Sequence, residues 1–562
     1  MRNESTSANA PGAAPAARSW GVLLNSAIVM VGYVLSRILG LIRESVISSQ
    51  FGTSAVTDAY RAAFKIPDFL YLVIIGGALG SAFIPVFSDL HANEGARRAW
   101  RMTNAVVNLA LLALSASSLV IMIWTRPFLN LLFTFTPEQL ELAIYLTRLF
   151  LFSPLLLGLG GLAMAALNGL DRFTLPALAP AAYNLSIILG ASVIAPWLGR
   201  SGLARFPNDG KPVIEGVAWG VVLGALLYLL CQLPGLWRAG YRYAPTLGLR
   251  DPAVRKIGKL MAPRLFGQAA LQINIIVMSS LASTIAAARL SALDQAYQLM
   301  LLPHGIFALS LATVMFPAMS RAYGAGDLAA VGQSFRDTLR RVQWTVLPAA
   351  AALAALSVPL VRLLLERGSF DNQSTALVAE ALVLYASALP AFAASEVLIR
   401  TFYAMQDTKT PVLVGVGTIV LNIGLSIALI RSGAGHRGLA LAFSVANNLE
   451  AALLLILLRR RLGGLDPDGR LRASLRRSLL GAAGMALLVW GAARLTATRY
   501  PFVASADAPG YDGVGADFRL LAAWMAAVAL LGGAAYAGLA ALQGAEELAP
   551  WRERIMRRLR RG

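Results

Sequence analysis

The sequence predicts an all-α polytopic membrane protein with about 14 transmembrane helices, in two six-helix lobes that form a parallel pseudo-repeat, plus two C-terminal helices. Three observations predict this fold class. The 562-residue chain is 57% hydrophobic and 14% charged, whereas soluble domains are about 45–50% apolar and about 25% charged. The apolar residues occur in blocks of about 20, the length that crosses the hydrocarbon core. Short motifs recur six spans apart, as in transporters built from parallel repeats.

The hydrophobic blocks define fourteen predicted spans. They fall near 20–44, 57–89, 102–125, 139–168, 175–197, 213–237, 256–286, 292–321, 333–364, 375–405, 411–430, 437–460, 473–495 and 518–543. Several of these exceed the length that a perpendicular helix needs, which indicates tilt or extension beyond the bilayer.

Loops rich in Lys and Arg alternate with loops that are sparse in them. The basic loops surround residues 97–101, 238–256, 336–341 and 459–477. The positive-inside rule assigns these loops to the cytoplasm, and an even number of spans then places both termini there. The formal net charge of +20 follows from this bias, so we expect no nucleic-acid partner.

The sequence offers no constellation typical of an enzyme. The three histidines are far apart in the chain, and no P-loop is present. The single cysteine, Cys231, lies in an apolar segment and excludes a disulfide framework. We therefore predict no enzyme activity, no cofactor and no metal site.

Two sequence echoes reveal the internal repeat. Asp58-Ala-Tyr precedes Pro67 by nine residues, and Asp294-Gln-Ala-Tyr precedes Pro303 by nine residues. A second echo pairs residues 168–176 with 403–411. Both echoes are offset by six spans, and because six is even the two halves share one orientation. A chance match of short proline-containing strings is the alternative.

The repeat divides the chain into units. The predicted units are a disordered cytoplasmic tail at 1–18, an N-lobe at 19–240 (spans 1–6), a C-lobe at 241–462 (spans 7–12), spans 13 and 14 at 463–545, and a basic cytoplasmic tail at 546–562.

Spans one and two carry an unusual density of charge. Their charged residues are Arg37, Arg43, Glu44, Asp58, Arg61, Lys65 and Asp68. A charge at the centre of a membrane helix costs about 2.5–3.5 kcal/mol on insertion scales, so we expect these side chains to face a protein interior or an aqueous cavity. Because the planar fork of arginine binds phosphate oxygens bidentately, the pattern predicts an anion site. The alternative is that the charges pair with one another or snorkel to fix helix ends.

Helical spacing refines this prediction. Arg37 and Glu44 share one helix face, whereas Arg43 is rotated away from both. Glu396 and Arg400, in span ten, are spaced as an i, i+4 ion pair. Asn184 and Asn422 are expected to make interhelical hydrogen bonds more often than to bind ions.

Several stretches resemble the MurJ (MviN) family of lipid II flippases. SRILGLIRE, FGTSAVTDAYRAAFKIPDF and GALGSAFIPVFSD resemble its opening, and LNGLDRFTLPALAPAAYN, LPHGIFALSLATVMFP and RTFYAMQDTKTPV resemble its later signatures. The match runs in consistent order from about residue 20 to 460. The resemblance implies the fold of the MOP exporter superfamily, with two lobes in a V around a central cationic cavity. Spans 13 and 14 would form a groove for a lipid tail.

The resemblance also implies a function. The protein would move the undecaprenyl-pyrophosphate-linked peptidoglycan precursor, lipid II, from the inner to the outer leaflet by alternating access, for cell-wall synthesis. It would lie in the bacterial inner (plasma) membrane, with the lipid-linked glycan as substrate and cell-wall synthesis proteins as partners. The predicted pyrophosphate-binding residues are Arg43, Arg37 and Lys65, which fall on family motif positions, together with Arg61, Arg264 and Arg400. The predicted gating or orienting residues are Glu44, Asp58, Ser36 and Glu396.

Three positions depart from the family pattern. Tyr71 and Gln298 stand where two further cavity arginines are expected, and Gly76 replaces an acidic residue. One hypothesis is compensation, in which another arginine restores the cavity charge: Arg61, Arg264 or Arg400. The other hypothesis is divergence towards a different lipid-linked glycan. A small-molecule exporter of the multidrug type and a non-transporting envelope-assembly scaffold are the remaining alternatives.

Overall fold

The computed structural model of the protein describes residues 16–76, 82–498, 503, 515–544 and 547. Within these ranges the secondary structure is helical, with no strand. The helices are α1 (Ala16–Phe51), α2 (Ala55–Tyr71), α3 (Ile84–Asn93), α4 (Ala96–Leu132), α5 (Pro137–Phe150), α6 (Phe152–Gly169), α7 (Thr174–Leu189), α8 (Ala195–Ser201), α9 (Ile214–Leu230), α10 (Leu233–Arg238), α11 (Pro252–Ser283), α12 (Arg289–Pro303), α13 (Ser310–Gly324), α14 (Leu328–Ala355), α15 (Ser357–Leu365), α16 (Asn372–Ala404), α17 (Lys409–Arg431), α18 (Gly435–Arg461), α19 (Arg470–Ala497) and α20 (Gly515–Leu542).

The helical, multi-pass character predicted from the sequence is confirmed. Among the described residues, 10 helical segments are long and apolar enough to cross a membrane, or 11 if α14 and α15, which are bent by 81°, form one span. The predicted count of 14 is not confirmed. Three predicted spans coincide with helices that are not counted as long and apolar enough to cross a membrane: 20–44, 57–89 and 256–286. The third of them is strongly apolar only over Gln268–Ser283.

Local sequence explains where several helices begin. The Ser54 side chain caps α2 by accepting a hydrogen bond from the Thr57 amide, and Thr136 with Gln139 forms a capping box at α5. Asp251 and Asp371 cap α11 and α16 in the same manner. Such caps satisfy amide groups that have no partner within the helix.

The two echoing spans share one irregularity. A π-helical turn, Leu72–Gly76, follows α2, and another, His304–Leu309, follows α12. Each comes shortly after the proline of its echo, Pro67 or Pro303. Proline removes a backbone hydrogen bond and favours a bend, so corresponding prolines produce corresponding breaks in the two lobes.

The helices pack into two lobes. In the first lobe α7 packs against α1 and α9, and α2 packs against α5; in the second, α16 packs against α12, α14 and α18. α19 packs against α14 and α20, outside both lobes. The Tyr536 hydroxyl of α20 donates to the Trp344 carbonyl of α14 at 2.8 Å. Residues 1–15 of the predicted N-terminal tail lie outside the described residues, as does the C-terminal tail except for Glu547.

Helix α11 contacts both lobes. Its first turns, at Ala253, Val254 and Ile257, pack in a cluster with Trp100 and Val106 of α4. Its later turns pack against α12 and α17. The lobe boundary at residues 240 and 241 stays a prediction, and it falls just before this shared helix.

Candidate functional site: a cavity between the lobes

A cavity of about 770 Å³ lies between the two lobes. Residues of α1, α2 and α7 form one side, which we call the N-lobe wall. Residues of α11, α12, α16, α17 and α18 form the other side, the C-lobe wall. Cavities at the interface of two repeats are where transporters hold their substrates.

The echoing helices α2 and α12 join the lobes at one end of the cavity. Lys65 Nζ lies 2.8 Å and 3.1 Å from the two carboxylate oxygens of Asp294. Asp58, in the first turn of α2, accepts a hydrogen bond from the Ser291 amide at 2.8 Å. The two aspartates of the echo thus each bind the opposite lobe, which gives the sequence repeat a structural counterpart.

A second junction connects the end of α1 with the segment before α16. The Ser369 amide donates to the Ser49 carbonyl at 2.7 Å, and Thr53 Oγ1 lies 2.8 Å from Ser374 Oγ. Gly52 has φ of +57°, and a Cβ there would lie 2.4 Å from the Ser369 carbonyl oxygen. Only glycine therefore fits this junction. Both junctions lie at the ends that the charge bias assigns to the outer side.

Three cations line the N-lobe wall: Arg43, Arg61 and Lys65. Arg61 forms an ion pair with Glu44. Arg43 Nη1 donates to Asn184 Oδ1 of α7 at 3.0 Å, which confirms the predicted interhelical role of Asn184. Unlike Arg61 and Lys65, Arg43 forms no direct ion pair among the described residues, although its charge acts on the nearby carboxylate of Asp68.

Carboxylates are as prominent as cations in the cavity. Glu44 and Asp68 lie on the N-lobe wall, and Asp294, Glu396 and Glu450 lie on the C-lobe wall. The described residues of the C-lobe wall include no Lys or Arg. The central cationic cavity implied by the resemblance is therefore found only in part, because the cations of the described lining all lie on the N-lobe wall.

The arginines considered as replacements occupy different places. Arg61 lines the cavity. Arg400 is not among the lining residues; it lies 2.8 Å from Glu396, which confirms their predicted pairing, and 2.5 Å from Thr313 Oγ1. Arg264 is within α11, one turn before the lining residue Gln268, and its side chain lies outside the described residues.

The remaining site residues predicted from the sequence lie outside the cavity lining. Ser36 accepts hydrogen bonds from Asn184 Nδ2 at 3.3 Å. Arg37 is exposed, and its guanidinium lies near Gly305 of the π-helical turn after α12: a Cβ added to that glycine would lie 3.6 Å from Arg37 Nη2. Asp58 is 2% exposed at the junction with α12.

The three departures from the family pattern also have distinct surroundings. Gln298 lines the cavity. Tyr71 packs in an apolar cluster with Leu114 and Leu151, and Gly76 ends the π-helical turn after α2. Arg61 is thus the arginine that accompanies Arg43 in the described lining.

Several cavity residues were not predicted as site residues. Tyr60 and Tyr297, each two or three residues after an echo aspartate, both line the cavity, as does Asp294. The sequence echo could have identified these three residues, because its two motifs contain them: Asp58-Ala-Tyr60 and Asp294-Gln-Ala-Tyr297. Glu450 is the one acidic residue in the predicted span 437–460, and an ionisable residue within a span is by default a candidate for function.

The fold is shared with solved structures of transporters of the MOP superfamily. A solved structure of lipid II flippase MurJ in an inward closed conformation matches with a TM-score of 0.70, at 24% identity, over 90% of this chain and 97% of that one. An inward-facing multidrug resistance MATE family transporter of the same superfamily matches with a TM-score of 0.62, at 16% identity, over 77% of this chain and 96% of that one.

Sequence comparisons identify the family. The family model of lipid II flippase MurJ matches residues 47–506. Lipid II flippase MurJ of Burkholderia cenocepacia is 30% identical over 78% of this chain and 84% of its own length. Probable lipid II flippase MurJ of Vibrio cholerae is 32% identical over 77% of this chain and 82% of its own length. The chain belongs to the MurJ family, as the sequence motifs predicted.

Proposed function

We propose that the protein is a flippase that translocates lipid II from the inner to the outer leaflet of the bacterial inner membrane, for cell-wall synthesis. The observation that carries the proposal is the position of Arg43, which faces a cavity between two repeated lobes and forms no ion pair among the described residues. Membership of the MurJ family supports the same substrate.

The pyrophosphate binds the N-lobe wall. Arg43 supplies a guanidinium that can bind phosphate oxygens bidentately. Arg61 and Lys65 lie on the same wall but pair with Glu44 and Asp294, so they act fully only when these pairs open. The presence of Arg61 supports compensation for the missing arginines rather than divergence of the substrate.

Translocation proceeds by alternating access. In this structure the lobes meet through Lys65–Asp294, Asp58–Ser291 and the contact of Ser49 with Ser369. These three contacts are polar, and they can be exchanged for water or for the substrate when the lobes separate. Apolar residues of both lobes, such as Ile47 and Ala292, also belong to one shared cluster and must part in the same step. Opening this end exposes the cavity to the outer leaflet, while closing it restores the state described here.

The lipid tail follows the outer surface of the protein. α19 and α20 lie beside α14 rather than within either lobe, and they expose large apolar side chains such as Leu487 and Leu530. A polyprenyl chain fits such a surface, because it gains nothing from an aqueous cavity. Both termini are cytoplasmic, and cell-wall synthesis proteins are the expected partners.

Complementation of a flippase-depleted bacterium tests this function. The wild-type gene is expected to restore growth and lipid II translocation, and Arg43→Ala is expected to abolish this rescue. Arg172→Ala is the matched control, because Arg172 is exposed and its side chain donates only to the Gly235 carbonyl among the described residues. Absence of rescue by a wild-type protein that is well expressed in the membrane would contradict the proposal and favour divergence.

Export of a small cation is the second candidate. The carboxylates of the C-lobe wall and the likeness to a multidrug transporter favour it. Increased resistance to cationic drugs in cells that express the protein, without rescue of flippase depletion, would establish this function instead.

A further inference from the structure

The two walls of the cavity differ in what they offer to a ligand. The N-lobe wall presents guanidinium and ammonium donors from Arg43, Arg61 and Lys65. The described C-lobe wall presents carboxylates and neutral amides but no cation. A ligand that fits both walls carries negative charge at one end and positive charge at the other.

Glu450 is the most informative residue of the C-lobe wall. It lies in α18 and lines the cavity beside Asn447 and Thr418. A Cβ added to Gly415 of α17 would lie 3.8 Å from its Oε1, so the carboxylate lies close to this glycine. Within the described residues it has no ion-pair or hydrogen-bond partner. A cation that binds an ionised carboxylate inside a membrane protein offsets the cost of its desolvation.

Asn422 provides an independent observation on the same wall. It is only 3% exposed, lines the cavity from α17, and its Oδ1 has no hydrogen-bond partner in the described structure. Its Nδ2 is directed to Asn274 Oδ1 at 3.4 Å. A buried acceptor without a donor is unfavourable. A ligand that donates a hydrogen bond to Asn422 Oδ1 would therefore satisfy this wall.

We propose that the C-lobe wall binds a primary ammonium group in the head group of the lipid-linked substrate, with Glu450 as its carboxylate partner. This inference rests on the proposed function, in which Arg43 binds the pyrophosphate. An ammonium has three donors and no acceptor, which matches a wall that has unpaired acceptors and no cation. The preferred substrate class is therefore a zwitterionic lipid-linked glycopeptide that bears a free amine.

A pair of substrates that differ only at the amine tests the proposal. One probe is a polyprenyl-pyrophosphate-linked glycopeptide with a free side-chain amine, and the other is the same compound N-acetylated at that amine. Their flipping rates by the purified full-length protein in proteoliposomes are compared. Loss of one charge-assisted hydrogen bond corresponds to about tenfold, so the wild type is expected to prefer the free amine by about tenfold.

The variants assign the preference to Glu450. Glu450→Gln, which keeps the size of the side chain, is expected to flip both probes at the slower, acetylated rate. Glu450→Asp is expected to retain part of the preference, which separates loss of charge from misfolding. Glu138→Gln, at an exposed position at the start of α5, is expected to behave as the wild type.

Three outcomes would overturn the inference. Equal rates for the two probes with the wild type would exclude an ammonium subsite. An equal slowing of both probes by Glu450→Gln would assign Glu450 to a transported ion or to packing. Failure of the wild type to flip either probe would refute the proposed function itself, and the inference with it.

Discussion

Breaking the ion pair between Lys65 and Asp294 is expected to separate the lobes at the end where they now meet. The ammonium lies 2.8 Å from the nearer carboxylate oxygen, and the two side chains are 12% and 26% exposed. A hydrogen bond between charged groups contributes roughly 1.5–3 kcal/mol. Partial exposure of Asp294 places this pair near the lower value, about 1.5 kcal/mol, because water screens the attraction. That value corresponds to about a tenfold change in the ratio of closed to open molecules.

The assay measures a distance between the lobes by pulsed electron paramagnetic resonance. Spin labels at Glu138 and Gln373, both exposed near the predicted outer ends of α5 and α16, report the separation. The single native cysteine, Cys231, is first replaced by serine. Lys65→Met and Asp294→Asn are each expected to raise the ratio of molecules with the long distance to molecules with the short distance about tenfold, in the absence of substrate.

A charge swap completes this test. Lys65→Asp combined with Asp294→Lys is expected to return the distance distribution towards that of the wild type, because the attraction is restored with reversed polarity. The reasoning is refuted if the single variants leave the distribution unchanged, or if the swap opens the lobes as much as the two single changes together.

Three further predictions follow from other contacts. Gly52→Ala is expected to increase the population of molecules with the long distance in the same assay, because the new Cβ collides with the Ser369 carbonyl oxygen. Gly240→Ala is the control, since Gly240 also has a positive φ but has open space around it. This control should leave the distances unchanged. Arg362→Met is expected to reduce thermal stability by about 3–5 kcal/mol, since it leaves the buried Glu366 without its cation, with only the Thr375 hydroxyl as donor. A smaller loss in the double variant with Glu366→Gln supports this cause, and an equal loss contradicts it. Asp251→Asn keeps the helix cap but removes the ion pair, so it should lower stability by about 1 kcal/mol at neutral pH.

The pH dependence of the Asp251 effect has a definite sign. The hydrogen bond from Arg98 lowers the pKa of the Asp251 carboxyl below its ordinary 3.8. A lowered pKa in the folded state contributes stability that is present above pH 3.8 and is lost as the pH falls through the lower folded value. Thermal unfolding should therefore show a difference between wild type and Asp251→Asn that is constant from pH 7 to about 5, begins to fall near the ordinary pKa of 3.8, and vanishes only below the lowered pKa of the folded state. A difference that grows on acidification would contradict this assignment.

The fold class could be predicted from the sequence because its signals are local. Apolar blocks define the helices, and the echo at Asp58 and Asp294 reveals the repeat. The number of spans was less accessible, since α2 and α11 direct polar residues such as Lys65 and Gln272 into the cavity. Such helices are not counted as long and apolar enough to cross a membrane, although a neighbouring lobe covers their polar faces.

The site could be predicted only in part. The charged residues that line the cavity from α1 and α2 stood out in the sequence, but their partners did not, because Asp294 lies 229 positions from Lys65. Helical spacing alone also did not predict which faces of α1 line the cavity. Arg43 and Glu44 both line the cavity although they are adjacent, because the cavity spans more than the 100° between neighbouring helix positions.

Flipping of lipid II by the purified protein tests the central claim most directly. In proteoliposomes, the wild-type protein is expected to move lipid II across the bilayer faster than protein-free vesicles do. At equal incorporation, Arg43→Ala should reduce the rate at least tenfold, because the pyrophosphate loses its charge-assisted hydrogen bonds, and Arg172→Ala should leave it unchanged. A wild-type rate equal to that of protein-free vesicles, or an unchanged rate in Arg43→Ala, would contradict the account.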